Sequence, residues 1–127
     1  METARRLCVL VVDDNEEAAT ALATLVAFWG YEVRTAFGGL TALIEAEDFL
    51  PDVMLCDLEM PGVDGCRVVE ALRQDDRFSK AFFVAVTAYG DEEHRMRALN
   101  AGFHAHLVKP VNEHILHRLL RSHPISD

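Results

Sequence analysis

Five short apolar runs alternate with stretches whose apolar residues recur at helical spacing, and this alternation leaves few folds open. Leu7-Cys8-Val9-Leu10-Val11-Val12 is continuous and rich in valine, the pattern of a strand buried on both faces of a parallel sheet. Tyr31 to Ala36, Val53 to Asp57, Ala81 to Val86 and Phe103 to Val108 read as four more strands. Between them lie helices. Asn15 offers an N-cap to the first, which carries Ala18, Leu22, Leu25 and Trp29 inward and stops at Gly30. Leu40 to Phe49 is the second, with Leu43 and Ile44 inward. Cys66 to Leu72, capped near Asp64, is the third. Asp91 to Ala101 is the fourth, with Met96 and Leu99 as its apolar contacts. A last helix capped by Asn112 carries Ile115, Leu116, Leu119 and Leu120, and Ser122 to Asp127 reads as frayed. Arg73 to Lys80 reads as a polar turn region. Alternation of strand and helix implies an α/β fold, a doubly wound parallel sheet with helices on both faces. No linker, repeat or low-complexity segment interrupts it, so residues 1–127 read as one domain.

Charge narrows the functional classes. Twelve basic and 21 acidic side chains give a formal charge of −9, which disfavours direct binding to nucleic acid and to anionic membranes. The three cysteines, Cys8, Cys56 and Cys66, are an odd number, and two lie inside apolar runs, so they read as small buried hydrophobes in a reducing compartment. The apolar run after Arg5-Arg6 is too short for a signal-peptide core, and no run approaches membrane-spanning length. These features predict a cytoplasmic protein, or the cytoplasmic part of something larger, without membrane insertion.

Where the strands end is where chemistry is expected, because doubly wound sheets bind ligands beyond the carboxyl ends of their strands. The first run ends at Asp13-Asp14, the third at Asp57, the fourth at Thr87 and the fifth at Lys109. The second has no such polar end group and is expected at an edge. After Asp57, Pro61, Gly62 and Gly65 forbid continuation of the strand, so the carboxylate stands where rigid backbone surfaces into a loop. Two carboxylates about 4 Å apart at an effective dielectric near 20 repel by about 4 kcal/mol, so three in one crevice hold a proton or recruit a cation. Hard oxygen donors point to Mg²⁺, or to Mn²⁺ in its place. A metal, an amine and a hydroxyl around one carboxylate are the parts of a phosphoryl-transfer site. Taken singly, Asp13-Asp14 also reads as helix capping, Thr87 as a strand end and Lys109-Pro110 as a turn.

Together these residues resemble the receiver domain of two-component response regulators, and the local text around His104 and His106 is similar to receivers of hybrid sensor histidine kinases. The matching features are Asp13-Asp14, Asp57 with Met60-Pro61-Gly62-Val63-Asp64-Gly65, Thr87-Ala88 and Lys109-Pro110, spread over about residues 6–121. The resemblance implies a flavodoxin-like sheet of five strands in the order 2-1-3-4-5 with five helices. It implies that Asp57 accepts a phosphoryl group from a histidine kinase or histidine phosphotransfer protein in a Mg²⁺-dependent reaction. Asp13, Asp14 and Asp57 with the backbone carbonyl of Glu59 would hold the metal. Lys109 would pair with Asp57, Thr87 would bond the phosphoryl group, Ala88 would leave room for it, and the bond before Pro110 would be cis. Glu59 and Tyr89 would occupy positions that tune phosphate lifetime. The switching surface would be the fourth helix, fifth strand and fifth helix, read by an unknown downstream protein, in a monomer or a phosphorylation-dependent dimer. The switch pair would be Thr87 and the residue at position 106, where the family often has Tyr or Phe and this chain has His106. Two other readings are a Mg²⁺-dependent aspartate-nucleophile phosphohydrolase, which needs a cap that the short linkers lack, and a degenerate receiver that binds partners without phosphorylation.

Overall fold

A computed structural model describes residues 6–122. The elements follow in the order β1 (Cys8–Val12), α1 (Glu16–Phe28), β2 (Glu32–Ala36), α2 (Gly39–Phe49), β3 (Val53–Cys56), α3 (Gly65–Leu72), β4 (Phe82–Thr87), α4 (Glu92–Ala101), β5 (Ala105–Val108) and α5 (Glu113–Arg121). All strand pairs are parallel, in the order β2-β1-β3-β4-β5, so β2 is an edge strand as its lack of a polar end group suggested. Residues 1–5 and all of the stretch read as frayed except Ser122 lie outside the described residues. No helix among the described residues is long and apolar enough to cross a membrane.

Both faces of β1, β3 and β4 are buried, which is why these strands are continuous apolar runs, whereas the edge strand β2 alternates exposed with partly buried residues. Leu10, Val12, Met54, Cys56, Phe83 and Ala85 face α2, α3 and α4. Val9, Val11, Val53, Leu55, Val84 and Val86 face α1 and α5, where Ala19, Val26, Leu116 and Leu120 meet them. Each fully buried valine or leucine contributes about 1.5–3 kcal/mol. Asn15, Asp64, Asp91 and Asn112 cap α1, α3, α4 and α5 by accepting a first-turn amide.

The helix faces depart from the sequence reading in a consistent way. Ile44 is 64% exposed, and α2 seats on the sheet through Ala42, Ala46 and Phe49 with Leu43 partly buried beside them. In α4, Met96 and Leu99 are exposed, and the helix packs through Ala98 and Ala101. Alanine lets a helix axis close onto the sheet, so the bulkier residues on neighbouring positions are left outside. In α1 the full burial falls on Ala19 and Val26, whereas Ala18, Leu22 and Leu25 line a cavity of about 420 Å³ between α1 and α5. The stretch read as a polar turn region contains a 3₁₀ turn at Asp76–Phe78, and Phe78 is buried in the core. β5 begins only at Ala105, and Cys56 and Cys66 are buried thiols, while Cys8 is partly rather than fully buried.

Candidate functional site

Backbone bonds between neighbouring strands carry each functional residue to the same rim. Asp13 N–H donates to Ala36 O at 3.1 Å, Asp57 N–H to Val12 O at 2.9 Å and Lys109 N–H to Thr87 O at 2.8 Å. Each residue therefore extends its strand by one rung, and its side chain stands on the last fixed point before a loop. Asp13, Asp57 and Thr87 are buried, while Asp14 is exposed. One oxygen from each of Asp13, Asp14 and Asp57 lies within 4.8 Å of the others.

Lys109 Nζ donates to Asp13 Oδ2 at 2.8 Å and to Asp57 Oδ2 at 3.4 Å. The opposite oxygens are held by amides. Asn15 N–H donates to Asp13 Oδ1 at 2.9 Å, and Glu59 N–H donates to Asp57 Oδ1 at 3.2 Å. Each buried carboxylate thus has one oxygen on a backbone donor and one on the shared ammonium. Thr87 Oγ1 accepts from Tyr89 N–H at 3.2 Å, which leaves its hydroxyl hydrogen free to serve another acceptor. The Lys109–Pro110 peptide is cis. A side chain at Gly65 would run into the Asp57 carbonyl oxygen, so only glycine lets α3 begin this close to the loop.

Comparison with known proteins decides what this arrangement belongs to. The pattern of the response regulator receiver domain matches residues 9–121. The chain belongs to the response-regulator receiver family. Response regulator PleD of Caulobacter vibrioides is 37% identical over 114 residues, covering 90% of this chain and 25% of that protein. The receiver thus spans about a quarter of the length of that curated relative. Polar-differentiation response regulator DivK of Brucella anthropi is 36% identical over 107 residues, 82% of this chain and 85% of that one. Among solved structures, chemotaxis protein CheY4 of Vibrio cholerae superposes with a TM-score of 0.87 at 28% identity, covering 94% of this chain and 99% of the other. The receiver domain of a sensor histidine kinase from Pseudomonas aeruginosa PAO1, with a magnesium ion coordinated in its active-site cleft, gives a TM-score of 0.86 at 27% identity over 97% of this chain and all of that one. Receivers of this family are signalling modules rather than classical enzymes.

Electrostatics fit a cation in this receiver. Burial pushes the Asp57 carboxyl above its ordinary range; the Glu59 amide and the Lys109 charge pull it back without cancelling the effect, and the Asp13 charge adds to it. Burial also disfavours the charged Lys109, but the Asp13 hydrogen bond and the charges of Asp57 and Asp13 outweigh it, so the ammonium is held above its usual value. A single lysine cannot offset three carboxylates. The donor set is all oxygen, which suits Mg²⁺ or Mn²⁺.

Other residues singled out in the sequence lie around this centre. Glu59 turns its carboxylate outward, to Arg97 Nη2 at 3.2 Å and His94 Nε2 at 3.6 Å. His106 sits opposite Ala85 in the β4–β5 register, facing α4, and its buried Nε2 has no hydrogen-bond partner among the described residues. Burial is the first cause that lowers its imidazole pKa, with the Arg95 and His94 charges adding to it. Sequence reading placed His94 only on a surface helix. The one local signal was its position three residues after Asp91, the capping distance.

Proposed function

We propose that this receiver is the phosphoacceptor of a two-component phosphorelay, with Asp57 as the residue modified. The observation that carries this reading is the Lys109 ammonium bridging the buried carboxylates of Asp13 and Asp57. An Asp57 oxygen attacks the phosphorus of a phosphohistidine, the P–N bond breaks, and its electron pair stays on the donor imidazole, leaving an acyl phosphate on Asp57. Asp13, Asp14, Asp57 and the Glu59 carbonyl would hold Mg²⁺. When bound, Mg²⁺ offsets negative charge on the phosphoryl oxygens. Lys109 keeps Asp57 ionised and oriented beforehand and then pairs with a phosphoryl oxygen. Thr87, whose hydroxyl hydrogen is uncommitted, donates to another.

The partner is a histidine kinase or a histidine phosphotransfer protein, and the output is a downstream protein that reads α4, β5 and α5. Charge-assisted hydrogen bonds contribute about 1.5–3 kcal/mol each. Two or three of them approach the roughly 5.5 kcal/mol needed to move a two-state equilibrium from 1:99 to 99:1. His106 faces the α4 side of this surface and is the second switch residue beside Thr87. The phosphohydrolase reading has no support from the loops at the site, since the connection between β3 and α3 spans only residues 57–64. Incubation with Mg²⁺ and acetyl phosphate tests the proposal. A gain of one phosphoryl group that maps to Asp57 is expected, and stable labelling at any other residue overturns it.

A further inference from the structure

Two backbone amides hold the acceptor groups of the site from the α4 side: Glu59 N–H on Asp57 Oδ1 and Tyr89 N–H on Thr87 Oγ1. They belong to different loops, after β3 and after β4, and both loops meet one side chain. His94, in the first turn of α4, stacks its ring on Tyr89 with centroids 4.6 Å apart and planes 15° from parallel. Its Nε2 lies 3.6 Å from Glu59 Oε2, and its Nδ1 lies 2.6 Å from Asp91 Oδ1. A carboxylate can only accept, so Nδ1 carries a proton and the ring is pinned by its own helix cap. Although it lies on a surface helix, the His94 side chain is only 23% exposed, against 44% for Glu59. Arg97 secures Glu59 from the same helix.

We propose that His94 is a positioning residue for phosphoryl transfer, tying the Glu59 and Tyr89 amides to the start of α4 so that Asp57 and Thr87 are presented together. This rests on Asp57 being the phosphoacceptor. When Asp57 attacks acetyl phosphate, its oxygen bonds to phosphorus, the P–O bond to the acetyl group breaks, and acetate leaves with the electron pair. Both this step and the later attack of water on the acyl phosphate move a PO₃ unit past the same donors. Preorganised donors lower such barriers because they need no rearrangement as charge develops. Loosening both amides therefore slows formation and hydrolysis alike.

The test compares the unaltered protein with His94→Ala and His94→Phe at saturating Mg²⁺. In His94→Ala, the maximal rate of labelling by acetyl phosphate and the rate of acyl-phosphate hydrolysis each fall about threefold to tenfold, the range that loss of one aromatic stack supports. The acetyl phosphate concentration giving half-maximal rate stays the same. His94→Phe, which keeps the stack on Tyr89 but loses the contacts with Glu59 and Asp91, recovers part of both rates. In the metal-free protein, hydrogen exchange at the Glu59 and Tyr89 amides speeds up by a similar factor in His94→Ala while exchange in β1 and β3 does not. Unchanged rates in His94→Ala, faster hydrolysis with unchanged labelling, or a change confined to the half-maximal concentration each overturn the assignment. Failure of the unaltered protein to label at Asp57 overturns the phosphoacceptor reading instead.

Discussion

On the Lys109 side of Asp57, a half-buried ammonium joins two buried carboxylates, with Lys109 at 2.8 Å from Asp13 and 3.4 Å from Asp57. On the α4 side three histidines replace them. His94 stacks on Tyr89, His104 stacks on Phe82 and Phe83, and His106 faces α4 from β5. The first side is fixed by strand ends, whose positions the sheet dictates. The second is held by ring contacts, of His94 in α4 on the Tyr89 loop and of His104 on β4. One side is suited to holding charge and the other to registering small displacements, and the consequences of substitution differ accordingly.

The largest effect is expected at the residue common to both sides. Asp57→Asn removes the attacking oxyanion while preserving shape and abolishes labelling by acetyl phosphate, measured by intact mass. Next comes the charged side alone. Lys109→Ala deletes a donor aimed at the transferred group, and loss of one such donor costs about 10²–10³ in rate. Labelling should survive at that reduced rate, and the spectroscopic change that accompanies phosphorylation should be lost; an unchanged activated spectrum would refute the role. Between the two sides stands Thr87. Thr87→Ala removes one hydrogen bond to a charged group, about 1.5–3 kcal/mol, and so slows labelling roughly tenfold to a hundredfold. Thr87→Ser should restore most of it. Equal defects in the serine and alanine variants would show that the methyl group, not the hydroxyl, is what matters.

The same division explains what could be read from the chain before its structure. Asp13, Asp57, Thr87 and Lys109 each terminate or closely follow an apolar run, and in a parallel sheet the ends of such runs share one edge, so their convergence was legible. The strand order and the edge position of β2 followed from the same pattern together with the family resemblance. Helix orientation was less legible. Ile44, Met96 and Leu99 fit helical spacing, yet Ala46, Ala98 and Ala101 occupy the sheet-facing positions, because close approach rewards small residues more than large ones. Phe78 was hidden by its polar neighbours. The contact of His94 with Glu59 had no local signature, since Glu59 lies in another loop and is brought near by the packing of α3 and α4.

The smallest effect belongs to the histidine side and appears as pH dependence. His104 precedes β5 and replaces a strand carbonyl: its Nδ1 accepts the Phe83 N–H at 3.0 Å, while its own N–H donates to Phe83 O at 2.7 Å. Accepting requires a neutral nitrogen. Burial, and after it the Arg73 charge, lower the imidazole pKa below its ordinary value. The folded state therefore prefers the unprotonated ring. Its stabilising contribution is complete above the unfolded-state pKa and is lost as pH falls through the lower folded-state value. The residue as a whole remains exposed to solvent, so screening keeps the effect below about 1 kcal/mol. Urea unfolding between about pH 7 and pH 5 should show the unaltered protein losing slightly more stability than His104→Gln, whose amide oxygen accepts without titrating. Identical slopes in the two proteins would mean that the Phe83 amide does not depend on the ring, and that β4 and β5 are held by their backbone ladder alone.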